Sequence, residues 1–456
     1  MDWEPIAAVG IFLVTLVLMI RRPRNINLGV AAGIGAIAML LLGIVTVSDA
    51  VNALTIIWDA ALAFIGIVAM SVTLDAMGFF KWAALKVAKL AGGSGLRLYF
   101  YIALLTAAVS ILFANDSAVL ILTPIVLEIV NQLKMEKEGR LAYLFAAGLI
   151  ADTAAMPLIT SNPVNIVSAD YFKYSFIDHL TFMGPIAVVT VVISLLVVYL
   201  FFRKKVPKSY SVTLVETLAV DGTIITPKRL KISAATLIAI DVGYVITSFK
   251  GIPVSFVICS GAVFLIAVFW ATQKQKYVLK EERKGVRSIL KAINWDIVVF
   301  LIAIFLVVQG LRTTGIVDYF AYLFVTTSYW PSFLSILAPS LIVTVSASFM
   351  NNWPMTLLGL LTIRQATTYY SLFLSPQIIT GLIFSNIIGN NLGPHFFPLG
   401  SLAILMWMAT MKRKGLTIRL RDYLKVGSVL SILEVAAASI ILWVEIAVLG
   451  LHLSII

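Results

Sequence analysis

The chain has 456 residues, 61% of them hydrophobic and 12% charged, with a formal charge of +12. A soluble domain carries about twice that charged fraction, so apolar stretches of span length recurring from end to end define an all-α polytopic membrane protein. Nucleic acid is excluded by the placement of the charge: segments 21–24, 81–97, 134–140, 203–231, 274–291 and 412–425 hold every Lys and Arg except Lys173, Lys250, Arg312 and Arg364.

The positive-inside rule puts those six segments on the cytoplasmic side, against anionic lipid. At the start of the chain, the acids of MDWEPIAAVGIFLVTLVLMIRRPR precede the apolar run and the arginines follow it, so it reads as an uncleaved first span. Spans are predicted at 6–20, 28–47, 52–78, 141–172, 181–202, 231–248, 252–272, 294–312, 377–411 and 423–450, ten in all, with both termini outside. Residues 98–132 exceed one crossing of about 20 residues, yet are too short for two plus a loop. Basic clusters flank this segment on both sides, so it is a re-entrant hairpin with Asn115-Asp116 at its midpoint. A carboxylate left in hydrocarbon costs about 2.5–3.5 kcal/mol on insertion scales, which marks the pair as functional.

The halves repeat. One offset places Trp58-Asp59, Leu74 and Gly78 on Trp295-Asp296, Leu311 and Gly315. An offset one residue shorter puts Asn115-Asp116 on Asn351-Asn352, and one residue longer puts Asp152-Thr153 on Asn390-Asn391. An odd number of crossings between the copies inverts the second, giving a 5+5 inverted repeat. The first repeat is 1–202, with the hairpin 98–132 and a broken helix 141–172. A cytoplasmic linker spans 203–230. The second repeat is 231–456, with a hairpin 333–363 entering from outside and a broken helix 377–411.

Four segments interrupt their helices at membrane depth: the tips at Asn115-Asp116-Ser117 and Asn351-Asn352, and the breaks from Asp152-Thr153 to Pro163 and from Asn390-Asn391 through Pro394 to Ser401. Paired prolines remove donors and clash with the preceding turn. Unwound backbone persists in a membrane only where it lines a protein cavity, and half-helix ends then offer free N–H and C=O groups. The candidate substrate-binding residues are Asn115, Ser117, Thr153, Ser161, Asn162, Asn165, Asn351, Asn352, Asn390, Asn391, Gly400 and Ser401. The candidate proton-coupling residues are Asp116, Asp152 and His395. Amides and hydroxyls with two carboxylates, and no Lys or Arg, suit a small neutral hydroxylated solute or a cation rather than an organic anion. One cysteine, Cys259, and scattered histidines, His179, His395 and His452, offer no disulfide framework or metal site. The GGSG at 92–95 lacks the Lys-Ser/Thr of a phosphate loop, so no cofactor is expected. Asp59 and Asp296, each beside a Trp, read as interface anchors.

At these same residues the chain resembles the arsenite efflux permeases of the ion transporter superfamily. FANDSAVLILTPIV at 113–126 and SNPVNIVSADYF at 161–172 carry the specific matches, with NNWP at 351–354 and IGNNLGPHFFPLGSLA at 388–403 in support. The resemblance implies a non-enzymatic, proton-driven exporter of arsenite and antimonite in the cell membrane. It also implies a cytosolic arsenite-stimulated ATPase as partner for some members, and dimers as a common state. It carries Asn115, Asp116, Ser161, Asn162, Asn165, Asn351, Asn352, Gly389, Leu392 to Pro394, Gly400 and Ser401. Three residues depart from it: Asn390-Asn391 stands for the family's Cys-Asp, and His395 for its Lys.

The leading expectation is an arsenite/proton antiporter. Its substrate would be the neutral trihydroxide, hydrogen-bonded by Asn115, Asn351 and their neighbours. Burial disfavours the charged form of a carboxylate, which lets protonation of Asp116 and Asp152 alternate with occupancy. The alternative is a sodium/proton antiporter of the same superfamily, since carboxylates, carbonyls and amides also make a sodium cage. A dicarboxylate symporter, a passive channel and an anchor for an ATPase rank below it.

Overall fold

The computed structural model describes residues 3–213, 215, 225–248, 250–272, 289, 291 and 295–454. About a third of the basic segment 203–231 and nearly all of 274–291 lie outside them. The described residues are helical, in the order α1 (Trp3–Arg21), α2 (Leu28–Leu41), α3 (Val47–Ala76), α4 (Phe79–Leu90), α5 (Gly95–Phe113), α6 (Asn115–Gln132), α7 (Lys137–Thr153), α8 (Pro163–Phe172) and α9 (Phe176–Phe202). The second half runs α10 (Pro227–Ser248), α11 (Val254–Thr272), α12 (Trp295–Thr313), α13 (Ile316–Ser328), α14 (Leu334–Met350), α15 (Asn352–Tyr369), α16 (Pro376–Phe396), α17 (Leu402–Arg413) and α18 (Leu420–Trp443).

Among the described residues, 8 helices are long and apolar enough to cross a membrane: α1, α3, α5, α9, α10, α11, α12 and α18 with its π-helical extension to Val448. The expected span at 28–47 is the shorter apolar helix α2. Segments 141–172 and 377–411 are each divided, into α7 and α8 around a 3-10 turn at Ile159–Ser161, and into α16 and α17 around Pro398–Gly400.

Segment 98–132 is a helical hairpin whose loop is a single residue. Ala114 sits at φ 65°, ψ 153° and joins α5 to α6. Asn351, at φ 81°, ψ 149°, joins α14 to α15 in the same way. Both are left-handed positions that glycine would hold without strain. These two turns lie 237 residues apart, the separation of Trp58 and Trp295, one residue more than the separation of Asn115-Asp116 from Asn351-Asn352 read from sequence. The shared asparagine suggests the match one residue away, whereas the backbone places the two turns at Ala114 and Asn351.

The second break is also corrected. Asn390, Asn391, Gly393 and Pro394 lie inside α16, and the chain leaves the helix only from Phe397 to Ser401. Pro394 withholds a donor but does not end the helix, because hydroxyls from its neighbours take up the late carbonyls. Ser431 donates to Leu392 O (3.0 Å), Ser348 to Gly393 O (2.7 Å) and Tyr423 to Pro394 O (3.0 Å).

The halves clasp each other through exchanged helices: α2 packs on α12, and α11 packs on α3. Asp59 and Asp296 hold these contacts. The Asp59 carboxylate accepts from the Val254 and Ser255 N–H groups (3.2 and 2.9 Å), capping α11. Asp296 accepts from Gly29 N–H (3.0 Å), near the start of α2. A carboxylate at a helix N-terminus meets both free donors and the positive end of the macrodipole. These two residues are therefore interhelical caps, where sequence suggested interface anchors.

Candidate functional site

Asn115 and Asp116 open α6 immediately after the strained turn, so their side chains project from a helix N-terminus buried in protein. The Asn115 side chain folds back to accept from Asp116 N–H (2.9 Å) and donates its Nδ2 to Asp152 Oδ1 (2.6 Å). Ser401, the N-cap of α17, donates to the same Oδ1 (3.2 Å). Thus the first tip, the end of α7 and the second break meet on one carboxylate oxygen.

The other oxygen, Asp152 Oδ2, is buried without a hydrogen-bond partner and lies 3.9 Å from His395 Nε2, which is likewise unpartnered. The His395 Nδ1 side faces Glu434 Oε2 at 2.7 Å. Glu434 Oε1 accepts from Thr153 Oγ1 (2.8 Å), which also lies 3.3 Å from Ser194 Oγ. Sequence reasoning missed Glu434 and Ser194. The available signal was the carboxylate in the middle of the apolar run SVLSILEVAAASIILW, judged by the same rule that singled out Asp116.

A second group is built from amides. Asn162, the N-cap of α8, accepts from Val164 N–H (3.1 Å) and donates to Asn391 Oδ1 (2.8 Å). Asn391 donates in turn to Asn165 Oδ1 (3.1 Å), and Asn165 donates to the Ala155 and Leu158 carbonyls of the unwound stretch (both 3.1 Å). Ser161 closes that stretch by donating to Leu158 O (2.6 Å).

Asn351, Asn352 and Gly400 belong to the second tip and the chain beside it. Asn351 caps α15 through Trp353 N–H (3.2 Å) and donates to Leu399 O (3.2 Å), beside Gly400. Asn390 turns along α16 to donate to Asn386 Oδ1 (2.9 Å) rather than reaching the amide group of Asn391. Asn352 Oδ1 and Asn390 Oδ1 are buried with no partner. Asp116 and Ser117 are 8% and 5% exposed at the first tip. The structure therefore brings Asn115, Asp152, Ser401 and His395 together, and joins Asn162, Asn165 and Asn391 across the halves. It turns Thr153 toward Glu434 and sets Asn390 apart.

Helical hairpins and divided helices that bring amides, hydroxyls, carboxylates and an imidazole together inside an apolar bundle define a polytopic membrane transporter. The family model of arsenical pump membrane proteins matches residues 7–446. The arsenical pump membrane protein of Escherichia coli is 36% identical over 448 residues, 98% of this chain and 99% of that protein. The one from Yersinia enterocolitica shows the same identity over 448 residues, and a putative one from Bacillus subtilis is 25% identical over 428 residues, 91% of this chain and 93% of that protein. The chain belongs to the arsenical pump membrane protein family. Its fold is similar to that of the Alcanivorax borkumensis YdaH transporter (TM-score 0.58, 13% identity, 88% of this chain and 87% of that one). It is also similar to Neisseria gonorrhoeae MtrF, described as one of a class of antimetabolite efflux pumps (TM-score 0.56, 13% identity, 89% and 85%).

Proposed function

We propose that the protein exports arsenite, and antimonite, across the cell membrane in exchange for protons, through a midplane site between two inverted repeats, 1–202 and 231–456. The observation that carries this reading is Asp152: a buried carboxylate with one oxygen held by Asn115 and Ser401 and the other unpartnered. That open oxygen accepts a charge-assisted hydrogen bond from a neutral trihydroxide when ionised and loses most of its acceptor strength when it holds a proton, so the two occupants compete. Exchange follows from that competition, with Asp116 and His395 beside it in the coupling role and the Asn162–Asn391–Asn165 amides among the substrate contacts. One proton moving inward per neutral solute yields about 2.3 kcal/mol per 100 mV, which sustains on the order of a fifty-fold outward gradient.

The repeat assignment draws support from Gly78 and Gly315, which start α4 and α13 with φ 85° and φ 76°, and from the matched caps Asp59 and Asp296. Proteoliposomes test the exchange directly. Arsenite uptake should follow an imposed proton gradient and ignore a sodium gradient of equal size. No arsenite uptake, together with sodium-dependent proton movement, would replace this reading with the sodium/proton antiporter.

A further inference from the structure

We propose that Glu434 is the inner proton store of the transport cycle, exchanging its proton with Asp152 through His395. The proposal rests on the proton-exchange reading above and adds a residue on α18 to which no role had been attached.

Three features of the geometry carry it. First, the groups stand in a line rather than converging: Glu434 Oε2 is 2.7 Å from His395 Nδ1, and His395 Nε2 is 3.9 Å from Asp152 Oδ2. Among the described residues, no cluster of three or more His, Cys, Asp or Glu is arranged to hold a metal ion, so a relay describes the line better than a coordination site. Second, all three side chains are buried, Glu434 and His395 completely. A buried imidazole exchanges protons with its immediate neighbours, and its two nitrogens here face one carboxylate each. Third, the fixed and free ends differ. Glu434 has both oxygens engaged, by His395 and by the Thr153 hydroxyl (2.8 Å), and so is held in place. Asp152 Oδ2 and His395 Nε2 face each other with no partner, although buried polar atoms are ordinarily satisfied. Closing their gap to hydrogen-bond length takes a movement of about 1 Å.

The step balances as a proton transfer. Protonated Glu434 gives its proton to His395 Nδ1 while the proton on Nε2 passes to Asp152 Oδ2. Glu434 is left ionised, Asp152 neutral, and the imidazole in its other tautomer. The net charge of the three groups is unchanged, so nothing charged is created in the apolar interior. Protonated Asp152 Oδ2 is a donor and a much weaker acceptor, so a substrate hydroxyl loses its charge-assisted hydrogen bond and release of the solute is favoured. The reverse transfer restores the acceptor.

The test uses the full chain in proteoliposomes with arsenite, the Glu434→Gln and Glu434→Asp variants, and two readouts. Counterflow of labelled against unlabelled arsenite needs no net proton movement, whereas accumulation driven by a proton gradient does. Glu434→Gln keeps the shape and an acceptor for Thr153 but holds no exchangeable proton. It should lose gradient-driven accumulation by about tenfold or more while counterflow changes by less than about threefold. Glu434→Asp should regain part of the accumulation. A Gln variant that accumulates arsenite like the wild type overturns the relay, and so do variants that lose both readouts together, which would make Glu434 a purely structural residue. Absence of counterflow in the wild type would instead overturn the arsenite reading, and the relay with it.

Discussion

Asn391 shows how much one side chain of the second half does for the first. It accepts from Asn162 and donates to Asn165, so both amides at the start of α8 are oriented from across the molecule. Replacing it by Leu keeps the volume and strands two buried amide groups. The loss should be about 1–3 kcal/mol for each unsatisfied group, read as a lower Tm of the purified protein together with weaker arsenite transport. Ser401→Ala is milder in stability and more specific in effect. It removes one of the two donors to Asp152 Oδ1, and donors to a carboxylate favour its charged form. Asp152 Oδ1 is then held by Asn115 alone, so arsenite transport should fall while the Tm of the purified protein changes little.

At the scale of elements, glycines set how closely the helices approach. A Cβ on Gly148 of α7 would lie 2.7 Å from the Trp407 ring of α17, which is fully buried and edge-on to Phe145 at 5.2 Å. Gly148→Ala therefore overpacks a rigid contact, and a loss of about 1–3 kcal/mol is expected in thermal unfolding. The hairpin turns behave oppositely. Non-glycine residues in the conformation of Ala114 carry about 1–3 kcal/mol of strain, so Ala114→Gly should raise the Tm. Asn351→Gly relieves the same strain but gives up the bonds to Trp353 N–H and Leu399 O, so its gain should be smaller.

For the whole molecule, composition and charge placement made the membrane class legible, and residue spacing gave the hairpin, because a one-residue turn lets 98–132 form two arms. The polar groups at the first tip were legible because a carboxylate stands out in an apolar run. Glu434 stands out equally, yet it lies in no motif, and its partner His395 comes from a different helix. The interhelical caps Asp59 and Asp296 stayed hidden for a similar reason: their acceptor role exists only once α11 and α2 are exchanged between halves. The false extent of the second break came from weighting Pro394 by its local effect, whereas Tyr423, Ser348 and Ser431 keep that helix intact from outside it. The orientation expected from the basic segments has its own check. With the lone Cys259 replaced by Ser, a membrane-impermeant maleimide should label His452→Cys in intact cells and Lys414→Cys only in everted vesicles.

Arsenite accumulation in everted vesicles, with and without an imposed proton gradient, tests the exchange site most directly when the Asp116→Asn variant runs beside the wild type. Gradient-dependent accumulation in the wild type, lost in a variant that inserts normally, is the expected result. Equal gradient-driven accumulation by both proteins would contradict the coupling role of the buried Asn-Asp tip.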